Sequence, residues 1–110
     1  MTYAEIETMI NSTKLSNAYY QYPEGEAPAL PYVLFYYPER DDFQADDKNY
    51  AKITQLNIEL YTKNKDFVNE KVIEDLLDAN EIPYDKEEQY IESENMYEVL
   101  YITEVIINES

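Results

Sequence analysis

Apolar side chains recur along this chain with two different periods, and the changes between them draw the elements. Tyr3, Ile6, Met9 and Ile10 fall at helical spacing, and Thr2 with Glu5 forms a capping-box pattern, which predicts a short first helix ending near Asn11 and Ser12. The run Ala18-Tyr19-Tyr20-Gln21-Tyr22 reads as a short strand closed by a turn at Pro23-Glu24-Gly25. Tyr32-Val33-Leu34-Phe35-Tyr36-Tyr37, six β-formers between Pro31 and Pro38, predicts a buried strand. Residues 39–47 show no apolar period and many carboxylates, the pattern of an exposed loop. After it Leu56, Ile58 and Leu60 alternate with Asn57, Glu59 and Tyr61, as on a strand with one wet face.

The period returns to that of a helix after Asp66, an N-cap, with Phe67, Val72, Ile73, Leu76 and Leu77 as the packing stripe and an end near Asn80 ahead of Pro83. Tyr84 to Ile91 and Met96 to Ile107 then read as two antiparallel strands joined through Glu92-Ser93-Glu94-Asn95. The last carries apolar groups on both faces at Val99, Leu100, Tyr101 and Ile102 and is expected in the middle of the sheet. The expectation is one α+β domain over residues 1–110: a mostly antiparallel sheet of four to five strands with two helices packed on it, in the order α-β-β-β-α-β-β. A final strand of twelve residues would span on the order of 40 Å. A globule of this size is roughly 34 Å across. The strand must therefore bend or project, and a projecting edge invites pairing with another subunit.

Composition adds exclusions. The chain is 45% apolar with thirteen Tyr, too rich in core formers for disorder. It lacks cysteine, so no disulfide framework is expected, and the first residues show no basic region followed by an apolar stretch. No apolar run approaches a membrane span; folding in the cytoplasm is the expectation. With 24 acidic against 8 basic side chains the formal charge is −16, and no basic cluster offers a phosphate footprint. Specific nucleic-acid binding and attachment to anionic membranes are not expected.

Histidine is absent, which removes the usual general base and every Ser-His or Cys-His nucleophile, and one glycine cannot build a phosphate-cradling loop. Among 24 carboxylates some pair meets any required spacing by chance, so no catalytic residue and no cofactor are assigned, and an enzyme is not expected. Asp41, Asp42, Asp46 and Asp47 are of the right type for Ca²⁺ or Mg²⁺, but lack the alternation and central glycine of an EF-hand; a solvated charge run is the expected reading. The tyrosines fit packing or a protein interface better than base stacking, which needs a positive groove.

A resemblance rests on Tyr20-Gln21-Tyr22-Pro23-Glu24, Pro31-Tyr32-Val33, Asp42-Phe43-Gln44-Ala45-Asp46-Asp47 with Tyr50, Ile58-Glu59-Leu60-Tyr61-Thr62 with Lys65-Asp66, and Tyr90-Ile91-Glu92-Ser93-Glu94 with Met96-Tyr97. Over nearly its whole length the chain resembles tail terminator or tail completion proteins, which join head to tail in siphophages and prophages of Gram-positive bacteria. The resemblance implies an α+β structural protein of the virion, made in the host cytoplasm. It would form a ring, typically a hexamer, at the head–tail interface and be bordered by the tail tube protein and a head connector or stopper protein. Copies of this charge repel, so a monomer in isolation is compatible with that role. Carboxylates facing the channel would keep passing DNA from sticking. The expected interface or channel-facing residues are Glu39, Arg40, Asp41, Asp42, Phe43, Asp46, Asp47, Glu87, Glu88, Glu92 and Glu94. The alternative is an acidic DNA mimic that inhibits a host DNA-binding or restriction protein, which would need its carboxylates gathered on one elongated face.

Overall fold

The alternation at Leu56, Ile58 and Leu60 belongs to the longest element of the chain. The structure is a computed structural model that describes residues 1–45 and 48–108. In order they form α1 (Tyr3–Asn11), β1 (Ser16–Tyr19), β2 (Tyr32–Tyr36), β3 (Phe43–Ala45), β4 (Lys48–Thr62), α2 (Phe67–Ala79), β5 (Tyr84–Ile91), a 3-10 turn at Glu92–Glu94 and β6 (Met96–Ile107). This is the expected α+β succession, with a short β3 added ahead of the long strand. The strands lie in the order β1-β2-β4-β6-β5, with β3 as a hairpin partner of β4. β1 runs parallel to β2 and the other pairs are antiparallel, so the sheet is mixed. A parallel pair needs a long return connection, which residues 20–31 supply.

Both helices start as their sequences specify. The Thr2 hydroxyl accepts from the Glu5 N–H while the Glu5 carboxylate accepts from the Thr2 N–H, each at 3.0 Å. Asp66 caps α2 by accepting from the Asn69 N–H at 3.0 Å. The two helices share one core with the sheet. Ile6, Met9 and Ile10 of α1 and Ile73 and Leu77 of α2 meet Val33 and Phe35 of β2, Leu56, Ile58 and Leu60 of β4, and Val99, Tyr101 and Val105 of β6. Register explains the set: Phe35, Ile58 and Tyr101 stand opposite one another across three strands, as do Val33, Leu60 and Val99.

Two expectations need correction. Of the expected loop 39–47, residues 46 and 47 lie outside the described residues, and residues 39–45 are not free: Asp41 N–H donates to the Ile53 carbonyl at 2.8 Å, Gln55 N–H to the Glu39 carbonyl at 2.9 Å, and β3 follows on the same strand edge. Backbone groups beside the projecting end of β4 need partners, and acidic side chains suit an edge strand because they stay in water. The packing stripe of α2 is also rotated. Glu70, Ile73 and Leu77 are buried, whereas Phe67 is 72% and Val72 37% exposed. Ile73 and Leu77 stand where the pattern put them, with Leu76 partly buried beside them, but Phe67 and Val72 do not, because the buried stripe includes a carboxylate.

That carboxylate is held by cations. Glu70 Oε2 lies 2.7 Å from Lys65 Nζ and its Oε1 2.8 Å from Lys86 Nζ, Lys65 also pairs with Glu88, and Lys86 reaches Glu74 at 2.9 Å. The fully buried Tyr101 donates its hydroxyl to Glu74 Oε2 at 2.8 Å, tying β6 to α2. Burial pushes the Glu74 carboxyl up, but the hydrogen bonds from Lys86 and Tyr101 outweigh it and hold the group below the ordinary carboxylate range. Tyr101→Phe keeps the packing and removes this bond, so it is expected to cost about 1–2 kcal/mol. The measurement is urea unfolding, where the midpoint should fall at unchanged slope.

Candidate functional site

With both helices on one side, the opposite face of the sheet has no helix over it. Register places on it Tyr32, Leu34 and Tyr36 from β2, Asn57, Glu59 and Tyr61 from β4, Glu98, Leu100 and Ile102 from β6, and Asp85, Glu87 and Gln89 from β5. The connection 20–31 fringes it at β2, where Tyr20 packs on Tyr36 and Tyr22 on Tyr32 with ring centroids 5.6 and 5.4 Å apart. The face is crowded rather than wet. Asn57, Tyr61 and Glu98 are all at least nine-tenths buried among their neighbours.

Polar groups there form two rows. In the first, Gln55 Nε2 donates to Asn57 Oδ1 at 3.1 Å and Asn57 Nδ2 to the Tyr36 hydroxyl at 3.2 Å. In the second, the Tyr61 hydroxyl donates to Glu59 Oε2 at 3.0 Å, Glu59 and Glu98 are within hydrogen-bonding reach of each other, and Gln89 Nε2 donates to Glu98 Oε2 at 3.3 Å. No Lys or Arg faces this row among the described residues of these strands, since Lys86 and Lys52 register with the helix-covered side. Burial, with the neighbouring Glu98 carboxylate adding to it and the Tyr61 hydroxyl opposing it, raises the Glu59 carboxyl to about 7. Chemically the pair is a partly buried Glu59 carboxyl that holds its proton up to about pH 7 beside a second carboxylate side chain.

The expected interface residues divide. Arg40 bridges Thr54 and so registers with the helix side, which leaves Glu39 and Asp41 on the open side, where they line a cleft with Gln55 and Glu104 that Arg40 also borders. Glu87 shares the open face, beside a groove it lines with Gln89, Glu98 and Leu100. Asp42 pairs with Arg40, and Glu88 turns to Lys65 on the helix side. Glu92 and Glu94 sit in the turn where Met96 pairs with Ile91, at the end of the sheet opposite β3. The two acidic segments therefore lie toward opposite ends of a molecule 50 Å long. Phe43 is in β3 but its side chain, like Asp46 and Asp47, lies outside the described residues. Among the described residues no group of three metal-ligating side chains forms, and no helix is long and apolar enough to cross a membrane.

The residues missed by sequence reasoning are Glu59, Glu98 and Tyr61. Their signal was present in part: Glu98 flanks an apolar run, and alternation puts Glu59 opposite the core face. The pairing register that makes them neighbours is not readable from either strand alone. No protein-family model matches the chain, and no curated protein is similar to it.

The dyad gives stability a pH dependence of definite sign. Glu59 binds its proton more tightly folded than unfolded, so its contribution is fully present below pH 4.5, the ordinary value, and is lost as pH rises toward about 7. Glu74, held low, acts oppositely and loses its contribution on acidification below the ordinary range. Stability should therefore peak at about pH 5 as far as these groups decide it. In Glu59→Gln the amide N–H replaces the carboxyl proton, so the decline toward pH 8 should be largely abolished. Its Tm at pH 8 is expected to lie about 4 °C or more above that of the parent chain, read by calorimetry across pH 5–8.

Proposed function

We propose that this protein is a structural assembly component of a tailed-phage virion, one that joins into a ring at the top of the tail and meets the head connector. The observation that carries the reading is the uncovered sheet face, where aliphatic and tyrosine side chains surround carboxylates with no cation facing them among the described residues of these strands. Partly exposed apolar groups mixed with polar ones are what protein interfaces use, and tyrosine supplies contact area at small entropic cost. The resemblance noted from the sequence supports the same reading, as does a 50 Å long axis that presents different surfaces at its two ends and on its two broad sides. In that role the unneutralised carboxylates let DNA pass without being held, since phosphates bind where Lys and Arg cluster.

A second reading is favoured by one feature. The open face gathers Glu39, Asp41, Asp85, Glu87 and Glu104 around the dyad, so carboxylates do concentrate on one elongated surface, as a DNA mimic requires. Leu34, Leu100 and Ile102 between them argue for an apolar partner rather than a basic DNA-binding cleft.

Deleting the coding sequence from a phage that carries it is the test, read by electron microscopy of the lysate. Filled heads and tails that fail to join are expected, and tails of abnormal length would identify a terminator in particular. Intact infectious virions would overturn the reading. Tight binding to a DNA-processing enzyme that duplex DNA competes away would transfer support to the mimic.

A further inference from the structure

The helix side of the molecule carries an exposed apolar ridge with a lysine set into it. Three of the eight basic side chains, Lys63, Lys65 and Lys71, fall within nine residues around the start of α2. The same stretch holds Phe67 and Val68, 72% and 75% exposed, with Val72 one turn on. Since α2 buries Glu70, Ile73 and Leu77 against the sheet, its 3.6-residue period turns Val68, Lys71 and Val72 outward, away from the sheet. Lys71 is 73% exposed at its side chain and pairs with Asp75 one turn ahead, an exposed pair of small worth, with Asp78 and Glu74 adding to the negative field around it. The positive end of the helix dipole adds to the local field.

We propose that the occupant of the open sheet face is a second copy of this chain, docked through the Val68–Lys71–Val72 ridge of its α2. The proposal rests on the assembly reading above and specifies its contact. Apolar residues stand on both surfaces: exposed Val68 and Val72 would lie on the partly exposed Leu100 and Ile102. Charges complement as well, because Lys71 would approach carboxylates that lack a cation in the single chain, Glu59, Glu98 and Glu87. The ridge and the face lie on opposite broad sides of one molecule. Their contact is therefore heterologous: each copy offers its face to one neighbour and its ridge to another, and the series closes into a ring or continues as a filament. The net charge opposes approach, but only over the screening length, about 8 Å at physiological salt, while the complementary groups act at contact.

The chain has no cysteine, which makes pairwise trapping clean. Val68→Cys and Leu100→Cys are made as separate variants, confirmed as folded by circular dichroism, and mixed under mild oxidation or with a short bismaleimide at about 0.5 M salt, where screening shortens the reach of the charge to roughly 4 Å. Heterodimers trapped in several-fold excess over either homodimer are expected. Sedimentation of uncrosslinked protein provides the second measurement, in which Val68→Asp, an exposed position that tolerates charge, should weaken association at least tenfold. Preferential trapping of Val68→Cys with itself, association unaffected by Val68→Asp, or a parent chain monomeric at about 1 mM would each overturn the proposal. Those results leave the assembly function to the deletion test: if heads and tails fail to join while this contact is absent, only the contact is wrong. If the contact forms and deletion leaves virions infectious, the virion role is wrong.

Discussion

Eleven consecutive residue pairs join β4 to β6, from Lys52 opposite Ile107 to Thr62 opposite Tyr97, and the other elements are arranged on that ladder. At about 3.3 Å per residue it is roughly 35 Å long. It fixes the long axis and forces the strands to run past the region that two short helices can cover. α1 has 9 residues and α2 has 13, roughly 13 and 20 Å of helix. Laid on one face they close one core. Because both contribute to that same core, the other face receives no second layer. A surface without a helical cover is therefore a consequence of the topology and need not be explained by any single residue.

Much of this was legible along the chain because local chemistry decided it. The Thr2–Glu5 box, the Asp66 cap, the strands Tyr84–Ile91 and Met96–Ile107, and the alternation at Leu56, Ile58 and Leu60 are each set by neighbours within a few positions, and each stands where the pattern put it. The failures share a cause. Residues 39–41 look like a loop because carboxylates are poor strand formers on average, yet beside an unpaired strand edge the backbone demand for partners prevails over composition. Phe67 looks like a core residue and Glu70 like a surface one, yet Lys65 and Lys86 reverse the two. The Glu59–Glu98 dyad depends on register between strands separated by more than thirty residues. Composition also could not show that Glu39, Asp41 and Glu87 share one face while Glu88 and Arg40 face the other.

The same side chain type meets two fates across one sheet. Under α2, Glu70 is buried with Lys65 and Lys86 at 2.7 and 2.8 Å, so the cost of removing its charge from water is offset by pairing. On the open side, Glu59 and Glu98 have only a tyrosine hydroxyl, an amide and each other. The available relief there is a proton on Glu59, whose carboxyl is raised to about 7. With three acids for every base in the chain, cations placed beneath α2 are not available to the open face. Neutralising one side leaves the other uncompensated.

That asymmetry separates fold from assembly. A core closed on one face and satisfied by its own lysines can fold as a single chain, because none of its buried charges waits for a partner. The open face differs in that its aliphatic groups and its dyad would both gain from a covering surface that brings a cation into an apolar contact. A partner rich in carboxylates is rejected at the dyad, a purely apolar one leaves the charges desolvated, and a surface offering lysine between valines satisfies both. The long ladder thus decides which face stays open, and the distribution of eight cations decides what that face accepts.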